Sequence, residues 1–346
     1  MNSLLYTARL ASACALGTPR LLPRTIHPVG ASLKVTGRCN SRCVTCTFWR
    51  SAHKDGITTE RAKRLLAEVR DLGIRQLCLT GGEPLLRDDL FDILGVCDAT
   101  WFDSLQLATN GLLLARFADQ INKSPITDVV VSLDAIGGSN DEIRGVPGAY
   151  EQIIGALPSI HKSISVRSLL TGKLIPHLAE LIRYCKEHGY RYGVGLLETE
   201  AYCFSSPESR ESVEALWPSE DDIRKGLDLL SDSGIMVRTV LANSREYLAS
   251  HKFLFKHCIL GYTSVYIQST GDVRAGCNVY RPVGSILEKD LKSIVDSPAY
   301  HESAKKMYEL DCPLCTCGYG TSAMYNSPGR EFIPFLWRRI ARLLPN

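Results

Sequence analysis

The chain has 346 residues, 45% of them hydrophobic and 22% charged, which is the balance of a globular protein that buries a large core. This length exceeds that of one average domain, so we expect a catalytic domain with an appendage. The formal net charge is +3, and no apolar run reaches the roughly 18 residues of a membrane-spanning helix, which excludes a membrane protein built on such helices. We expect no nucleic-acid partner.

The N-terminal part of the chain is basic. Residues 1–54 contain eight Lys or Arg, and the first acidic side chain is Asp55. Residues 1–30 are therefore predicted to form a basic helical extension. Arg9 interrupts the apolar stretch that a secretory signal would need, which leaves a transit peptide as the alternative.

From residue 31 to residue 198, short β-rich runs alternate with amphipathic helical runs, which is typical of a parallel α/β domain. Strands are predicted at 31–36, 75–80, 105–109, 129–133, 163–170 and 190–197. Helices are predicted at 58–72, 88–96, 112–121, 150–161 and 176–188. A loop at 199–217 and a helix at 219–230 follow, so the predicted catalytic domain covers residues 31–234.

Three cysteines follow the first predicted strand in a CxxxCxxC run, Cys39, Cys43 and Cys46. A cubane [4Fe-4S] cluster held by three thiolates keeps one iron free for a small chelating molecule, whereas structural zinc needs four closed ligands. The run therefore favours an iron–sulfur cluster with an open iron. A zinc knuckle or redox-sensing thiols are the alternatives.

Three further motifs follow predicted strands: Gly81-Gly82-Glu83-Pro84, Thr109-Asn110-Gly111 and Ser132-Leu133-Asp134-Ala135. With the cysteine run, their order resembles that of the radical SAM superfamily. The resemblance implies a partial (β/α)6 barrel, more open than a closed eight-unit barrel. It also implies a [4Fe-4S] cluster whose open iron binds S-adenosylmethionine (SAM).

The resemblance also implies a set of residues that bind SAM at the barrel mouth. These are Phe48, Gly81, Gly82, Glu83, Pro84, Asn110, Ser132, Asp134 and Arg167. Thr45 departs from the family, which usually has an aromatic residue there, so Phe48 is the expected substitute for packing on adenine. Ser132 and Asp134 could instead cap the following helix.

Substrate contacts are expected after the sixth strand, from Glu198, Glu200 and Tyr202, unless this segment is a solvated loop. Cys203 lies in the same segment and is a candidate hydrogen-atom donor. An inert cysteine is the alternative for that position.

A second cysteine group follows a predicted boundary near 235–257. A turn at Thr270-Gly271-Asp272 between two β-like runs predicts a hairpin between Cys258 and Cys277. Together with Cys312 and Cys315, these cysteines resemble the SPASM and twitch modules of radical SAM enzymes, with four ligands for one auxiliary [4Fe-4S] cluster. Cys317 is left over, and zinc in the same four thiolates is the alternative. This module is predicted to cover residues 235–325.

Residues 326–346 combine apolar residues with Arg338, Arg339 and Arg342 and predict a basic amphipathic helix. Such a helix can lie on an anionic membrane surface or pack back onto the barrel. The 13 cysteines are an odd number in clustered spacings, which argues against a secreted disulfide framework and predicts a cytoplasmic protein.

By resemblance, the enzyme reductively cleaves SAM, and the 5′-deoxyadenosyl radical removes hydrogen from a sugar-like or aminocyclitol-like small molecule or from a peptide. An auxiliary cluster can accept the second electron, so we predict net two-electron oxidation. A flavodoxin- or ferredoxin-type protein is the expected electron donor. A radical epimerase, a rearrangement enzyme and a zinc-binding interaction protein remain alternatives.

Overall fold

A computed structural model describes residues 3–46, 48–50, 55–197, 214–278, 280–312, 316 and 319–326. Across these ranges the strands form one nine-stranded sheet in the order β6-β5-β4-β3-β2-β1-β7-β8-β9. The strands are β1 Gly30–Thr36, β2 Gln76–Gly81, β3 Ser104–Thr109, β4 Asp128–Ser132, β5 Ser163–Leu170, β6 Arg191–Leu196, β7 Ser264–Ile267, β8 Asp272–Ala275 and β9 Gly284–Ser285.

Strands β1 to β6 are all parallel and follow one another in chain order, which confirms the predicted fold class. One side of each strand packs under the helices with apolar residues such as Leu33, Leu77 and Leu107, which are at most 1% exposed. The side chains between them are smaller or polar and face the interior of the open barrel.

Helices connect these strands close to the predicted positions, except that residues 138–144 form a helix that was not predicted. The helices are α1 Ser3–Leu16, α2 Thr59–Asp71, α3 Leu90–Leu94, α4 Leu114–Lys123, α5 Gly138–Arg144, α6 Ala149–Ala156, α7 Ile175–Glu187, α8 Glu220–Asp232, α9 Arg238–Ser250, α10 Leu260–Thr263, α11 Leu291–Val295, α12 Pro298–Tyr308 and α13 Tyr319–Asn326. Helix α2 begins where the Thr58 side chain accepts a hydrogen bond from the Arg61 N–H, and it buries Leu65, Leu66 and Val69.

The cysteine-rich part is joined to the barrel through the sheet. Strand β7 pairs in parallel with β1, and β7 and β8 form the predicted antiparallel hairpin. The Arg61 guanidinium adds a second link, because it donates to the Ile286 carbonyl (2.6 Å) and pairs with Glu68 (2.9 Å). Glu68 in turn accepts from the Leu291 N–H at 2.9 Å.

Helix α1 packs against the cysteine-rich part instead of extending from the chain. The hydroxyl of Tyr6 donates to the Tyr262 carbonyl (2.5 Å), and that of Tyr308 donates to the Ala13 carbonyl (2.6 Å). Helix α9 lies within the predicted boundary region 235–257, where no helix was predicted.

No helix in the described ranges is both long enough and apolar enough to cross a membrane. The predicted C-terminal helix lies outside these ranges, apart from Asn326.

Candidate active site

The carboxyl ends of β1 to β5 meet around a cavity of about 260 Å³. Ends of parallel strands gather at one edge of a barrel, which explains why residues from distant segments converge there. The cavity is lined by Cys39, Ser41, Cys43, Thr45, Cys46, Phe48, Trp49, Thr80, Gly81, Gly82, Ala108, Thr109, Asn110, Ser132, Arg144 and Leu169. The structure thus brings the three cysteines together with five of the predicted SAM-binding residues, and it leaves Glu83, Pro84, Asp134 and Arg167 out of the lining.

The three thiols are sheltered from solvent. Burial raises the pKa of the Cys39 thiol to about 11 and also raises the pKa of Cys46. These two thiols are therefore protonated at neutral pH unless a metal takes the place of the proton, as it does in a cluster. Among the described residues, no three His, Cys, Asp or Glu side chains are grouped as one bound metal ion requires. Three thiols around one cavity fit a cluster with an open iron.

The loop that carries the three cysteines (residues 37–46, the cysteine loop) is held by hydrogen bonds at its start and at Cys43. Asp55 accepts hydrogen bonds from the Thr36 hydroxyl (2.5 Å) and the Gly37 N–H (2.7 Å), just where β1 ends. The Trp49 indole donates to the Cys43 carbonyl at 3.1 Å. These contacts, all between protein groups, hold the loop in place.

Gly81 and Gly82 let the cysteine loop lie directly against the end of β2. The Gly82 N–H donates to the Thr36 carbonyl (2.9 Å), and the Glu83 N–H donates to the Arg38 carbonyl (2.7 Å). A Cβ added to Gly82 would overlap the Arg38 carbonyl oxygen. The close backbone approach that these glycines allow is thus to the cysteine loop, and their predicted contact with SAM remains a prediction.

We expect Gly82→Ala to lower both stability and iron content, because the added methyl group pushes the Arg38 carbonyl away. Overpacking of this kind costs about 1–3 kcal/mol. Gly155→Ala is the matched control, since a Cβ there meets nothing within 4 Å and α6 gains helix propensity. Thermal unfolding and iron assays after anaerobic reconstitution measure both effects. Full iron loading in Gly82→Ala would contradict the packing argument.

Glu83 is fully buried beneath the cavity and binds protein donors. Its carboxylate accepts from the Asn110 N–H (2.7 Å), the Thr109 hydroxyl (2.8 Å) and the Leu85 N–H (3.1 Å). Burial raises the pKa of this carboxyl, and the three hydrogen bonds act in the opposite direction. Glu83 therefore joins the ends of β2 and β3, and its predicted contact with SAM remains a prediction. Pro84 begins a short 3-10 turn.

Asn110 holds the cysteine loop from the end of β3. Its amide donates to the Asn40 side-chain oxygen (2.8 Å) and to the Ser41 hydroxyl (2.9 Å), and its own oxygen accepts from the Leu112 N–H (3.0 Å). Asn110 also lines the cavity, so its predicted role in SAM binding is compatible with this anchoring role.

Asp134 is buried behind the cavity and pairs with a residue that sequence reasoning missed. Its carboxylate lies 2.7 Å from the Arg144 guanidinium, which also donates to the Cys43 sulfur at 3.7 Å. Helix α5 has no side-chain cap at Gly137, so the alternative in which Ser132 or Asp134 caps this helix is wrong. Ser132 lines the cavity.

Two predicted SAM contacts have unexpected surroundings. Phe48 lines the cavity, but the Lys34 ammonium lies 2.9 Å from its ring centroid and covers one face. Arg167 on β5 pairs in register with Ser132 on β4, and its guanidinium lies in the space that a Cβ on Gly193 would fill. Gly193 thus makes room for Arg167.

The predicted substrate residues Glu198, Glu200, Tyr202 and Cys203 lie outside the described residues. The described chain before them ends at Leu197, whose carbonyl accepts from the buried Tyr247 hydroxyl at 3.3 Å.

Three cysteines of the second group approach one another. Burial raises the pKa of the Cys258 thiol to about 12, and the thiols of Cys312 and Cys277 are near enough to raise it further. Gly276 allows this approach, because its φ is +59° and a Cβ there would overlap the Leu260 carbonyl, two residues after Cys258. Cys315 and Cys317 lie outside the described residues. The described cysteines are all free of disulfides.

Residues 33–185 match the family model described as the radical SAM superfamily, and residues 258–318 match the model of SPASM, an iron–sulfur cluster-binding domain. The pre-heme d1 synthase of Dinoroseobacter shibae is 34% identical over 178 residues, or 49% of this chain and 43% of that protein. A probable GTP 3′,8-cyclase of Methanococcus maripaludis is 26% identical over 235 residues, or 62% of this chain and 71% of that protein. The chain thus spans less than half of the synthase.

Solved structures that share the fold include two with S-adenosylmethionine bound. SuiB of Streptococcus suis bound to S-adenosylmethionine has a TM-score of 0.63 and 18% identity, covering 80% of this chain and 67% of its own. Native anSMEcpe with bound AdoMet has a TM-score of 0.56 and 16% identity, covering 92% of this chain and 100% of its own.

The two family matches assign the chain a SAM-binding [4Fe-4S] cluster, SAM and an auxiliary iron–sulfur cluster. The donor sets agree with this assignment, because each cysteine group gathers in its own part of the fold. The chain belongs to the radical SAM superfamily and carries a SPASM domain at its C-terminal end.

Proposed function

We propose that this enzyme binds a small molecule or a peptide in the open mouth of its barrel and oxidises it by two electrons. In this proposal Cys39, Cys43 and Cys46 hold the cluster that binds SAM. Cys258, Cys277, Cys312 and Cys315 hold the auxiliary cluster, which accepts the second electron.

The observation that carries the proposal is the position of β1 between the two cysteine groups. The carboxyl end of β1 leads into the cysteine loop. On the side away from β2, β1 pairs with β7, the first strand of the β7–β8 hairpin in the SPASM domain. The N–H groups of Gly56 (2.8 Å) and Ile57 (3.3 Å) also donate to the Ser269 carbonyl at the tip of that hairpin. A shared strand fixes the distance between the two groups, which is what an electron acceptor beside a substrate site requires.

When bound, the cluster and SAM supply the one-electron chemistry that removes hydrogen from an unactivated C–H bond. The residues of the chain bind and orient the cluster, SAM and the substrate. Asn110 and Arg144 hold the cysteine loop in place. We propose that Arg167 binds the SAM carboxylate, because a guanidinium can donate two parallel hydrogen bonds to it. Glu198, Glu200 and Tyr202 are proposed to contact the substrate.

The names of similar proteins support both substrate classes. One SuiB structure is described as bound to the precursor peptide SuiA, and the curated relatives carry the names GTP 3′,8-cyclase and pre-heme d1 synthase. The names cyclase and synthase also favour a second candidate, a radical rearrangement or ring closure without net oxidation. A flavodoxin- or ferredoxin-type protein is the proposed electron donor.

With a strong reductant, the reconstituted enzyme should convert SAM into 5′-deoxyadenosine and methionine, slowly without substrate. Glu83→Gln should weaken SAM binding, because an amide cannot accept all three hydrogen bonds that order the ends of β2 and β3. Glu142→Gln on the exposed surface is the control, since Glu142 pairs with Lys173 there. Chromatography of the nucleoside products checks this. Formation of S-adenosylhomocysteine alone would refute hydrogen abstraction.

A further inference from the structure

The cysteine loop is hydrogen-bonded to the C-terminal end of α5. The N–H of Arg42 donates to the Arg144 carbonyl (3.0 Å), and the N–H of Val44 donates to the Ile143 carbonyl (3.0 Å). Gly145 has φ of +64°, and a Cβ there would overlap the Arg42 carbonyl. Cys43 is therefore held between two backbone hydrogen bonds to the same helix end.

The Arg144 side chain turns back from this helix end toward the Cys43 sulfur. One terminal nitrogen donates to that sulfur (3.7 Å), and the other pairs with Asp134 (2.7 Å). The Arg144 side chain is 12% exposed and that of Asp134 is 2% exposed. The guanidinium Nε is buried and has no protein hydrogen-bond partner within the described residues.

Asp134 is itself fixed. It accepts from the Leu169 N–H (2.8 Å), and its own N–H donates to the Asn140 side chain (3.0 Å). The guanidinium therefore has little freedom to leave the sulfur, because its counter-ion is anchored to both β5 and α5. A buried charge in this position acts through a low dielectric, so its effect on the sulfur is larger than that of a surface arginine.

We propose that Arg144 is a positioning residue for the SAM-binding cluster. Its guanidinium, oriented by Asp134, places a fixed positive charge and a hydrogen-bond donor against the Cys43 sulfur and raises the reduction potential of the cluster. Reduction adds one negative charge to the cluster, and a nearby cation and hydrogen bonds to sulfur stabilise that charge. This inference rests on the proposed ligation of the cluster by Cys39, Cys43 and Cys46.

The test compares reconstituted full-length wild type with Arg144→Met, Arg144→Gln and Arg144→Lys. Redox titration followed by electron paramagnetic resonance measures the potential of the SAM-binding cluster, and iron assays measure its occupancy. Arg42→Met is the matched control, because it removes the same charge from the residue next to Cys43, where the side chain is exposed. Each variant is also measured with all four SPASM cysteines replaced by Ala, so that one cluster is observed.

The potential should become more negative in the Met and Gln variants, remain close to wild type in the Lys variant and change much less in Arg42→Met. If the two neutral variants lose iron while the Lys variant keeps it, the result supports the inference that a positive charge beside the Cys43 sulfur stabilises the cluster. Equal potentials in the Met and wild-type proteins, or equal shifts in Arg144→Met and Arg42→Met, would overturn the inference. A wild type without a cubane signal would instead overturn the proposed ligation itself.

Discussion

Replacing Cys39, Cys43 and Cys46 together by Ala should remove about half of the iron and abolish SAM cleavage. Two cubanes contain about eight irons, and each cysteine group is expected to hold about four. The three thiols line a single cavity at the ends of the barrel strands, whereas Cys258, Cys277 and Cys312 lie in the SPASM domain. Losing one group should therefore leave the other loaded.

The measurement combines iron and sulfide assays with absorbance near 400 nm and assay of 5′-deoxyadenosine. Cys97→Ala is the control, because Cys97 is a partly buried cysteine that lies outside the cavity. The fold should survive in the triple variant. Asp55, Asn110 and the Arg144 carbonyl hold the loop through hydrogen bonds that involve none of the three sulfurs. A triple variant that keeps all of its iron would show that the cysteine loop is not a cluster site.

The barrel could be predicted from the sequence because its strands and helices have clear periods. Strand β5 was predicted at its observed bounds, and the other barrel strands were predicted within one residue at each end. These strands are short runs in which apolar residues alternate with smaller or polar ones, and this signal is local. The motifs after β2, β3 and β4 could likewise be placed, because they follow those runs directly.

The contacts within the site could not be predicted, because they depend on distances between segments far apart in the chain. Arg144 lies in a seven-residue helix with too few turns to show a period, and nothing local links it to Cys43 or Asp134. Glu83 illustrates the same limit, because a carboxylate after a strand carries no sign that three protein donors will surround it. Glu83 and Asp134 were identified as site residues, but their partners were not, and Arg144 was not identified at all.

The packing of helix α1 and the presence of helix α9 could not be predicted, for a different reason. Helix α1 carries one basic residue, Arg9, and few polar side chains, so charge in the flanking segments determined the prediction of a basic extension. Its buried face instead packs through Tyr6 and Leu10 against elements some 250 residues later in the chain. Helix α9 includes Asn243 and Ser244, which are poor helix formers, and tertiary burial of both overrides that propensity.

Replacing all four proposed SPASM ligands, Cys258, Cys277, Cys312 and Cys315, by Ala should leave SAM cleavage in place and remove the oxidised product. The barrel cluster stays intact, so SAM still binds and some 5′-deoxyadenosine forms. Metal-bound modules can unfold without their ion, but β7 is held by β1, and the segment after β9 is held by the Arg61 contact with Ile286. Circular dichroism and thermal unfolding check the fold first, and Cys14→Ala serves as a buried-cysteine control in the packed helix α1.

The same pair of proteins, run in deuterated water with a substrate found from a panel of sugars, aminocyclitols and peptides, separates oxidation from its alternatives. Oxidation of an alcohol carbon removes one hydrogen atom to the deoxyadenosyl radical, one proton to solvent and one further electron to the auxiliary cluster. The wild-type product should therefore be two hydrogens lighter and carry no solvent deuterium at the attacked carbon, as measured by mass spectrometry. A product of unchanged composition with one deuterium at that carbon would reject oxidation in favour of epimerisation. Loss of that deuterated product in Cys203→Ala would then identify the hydrogen donor.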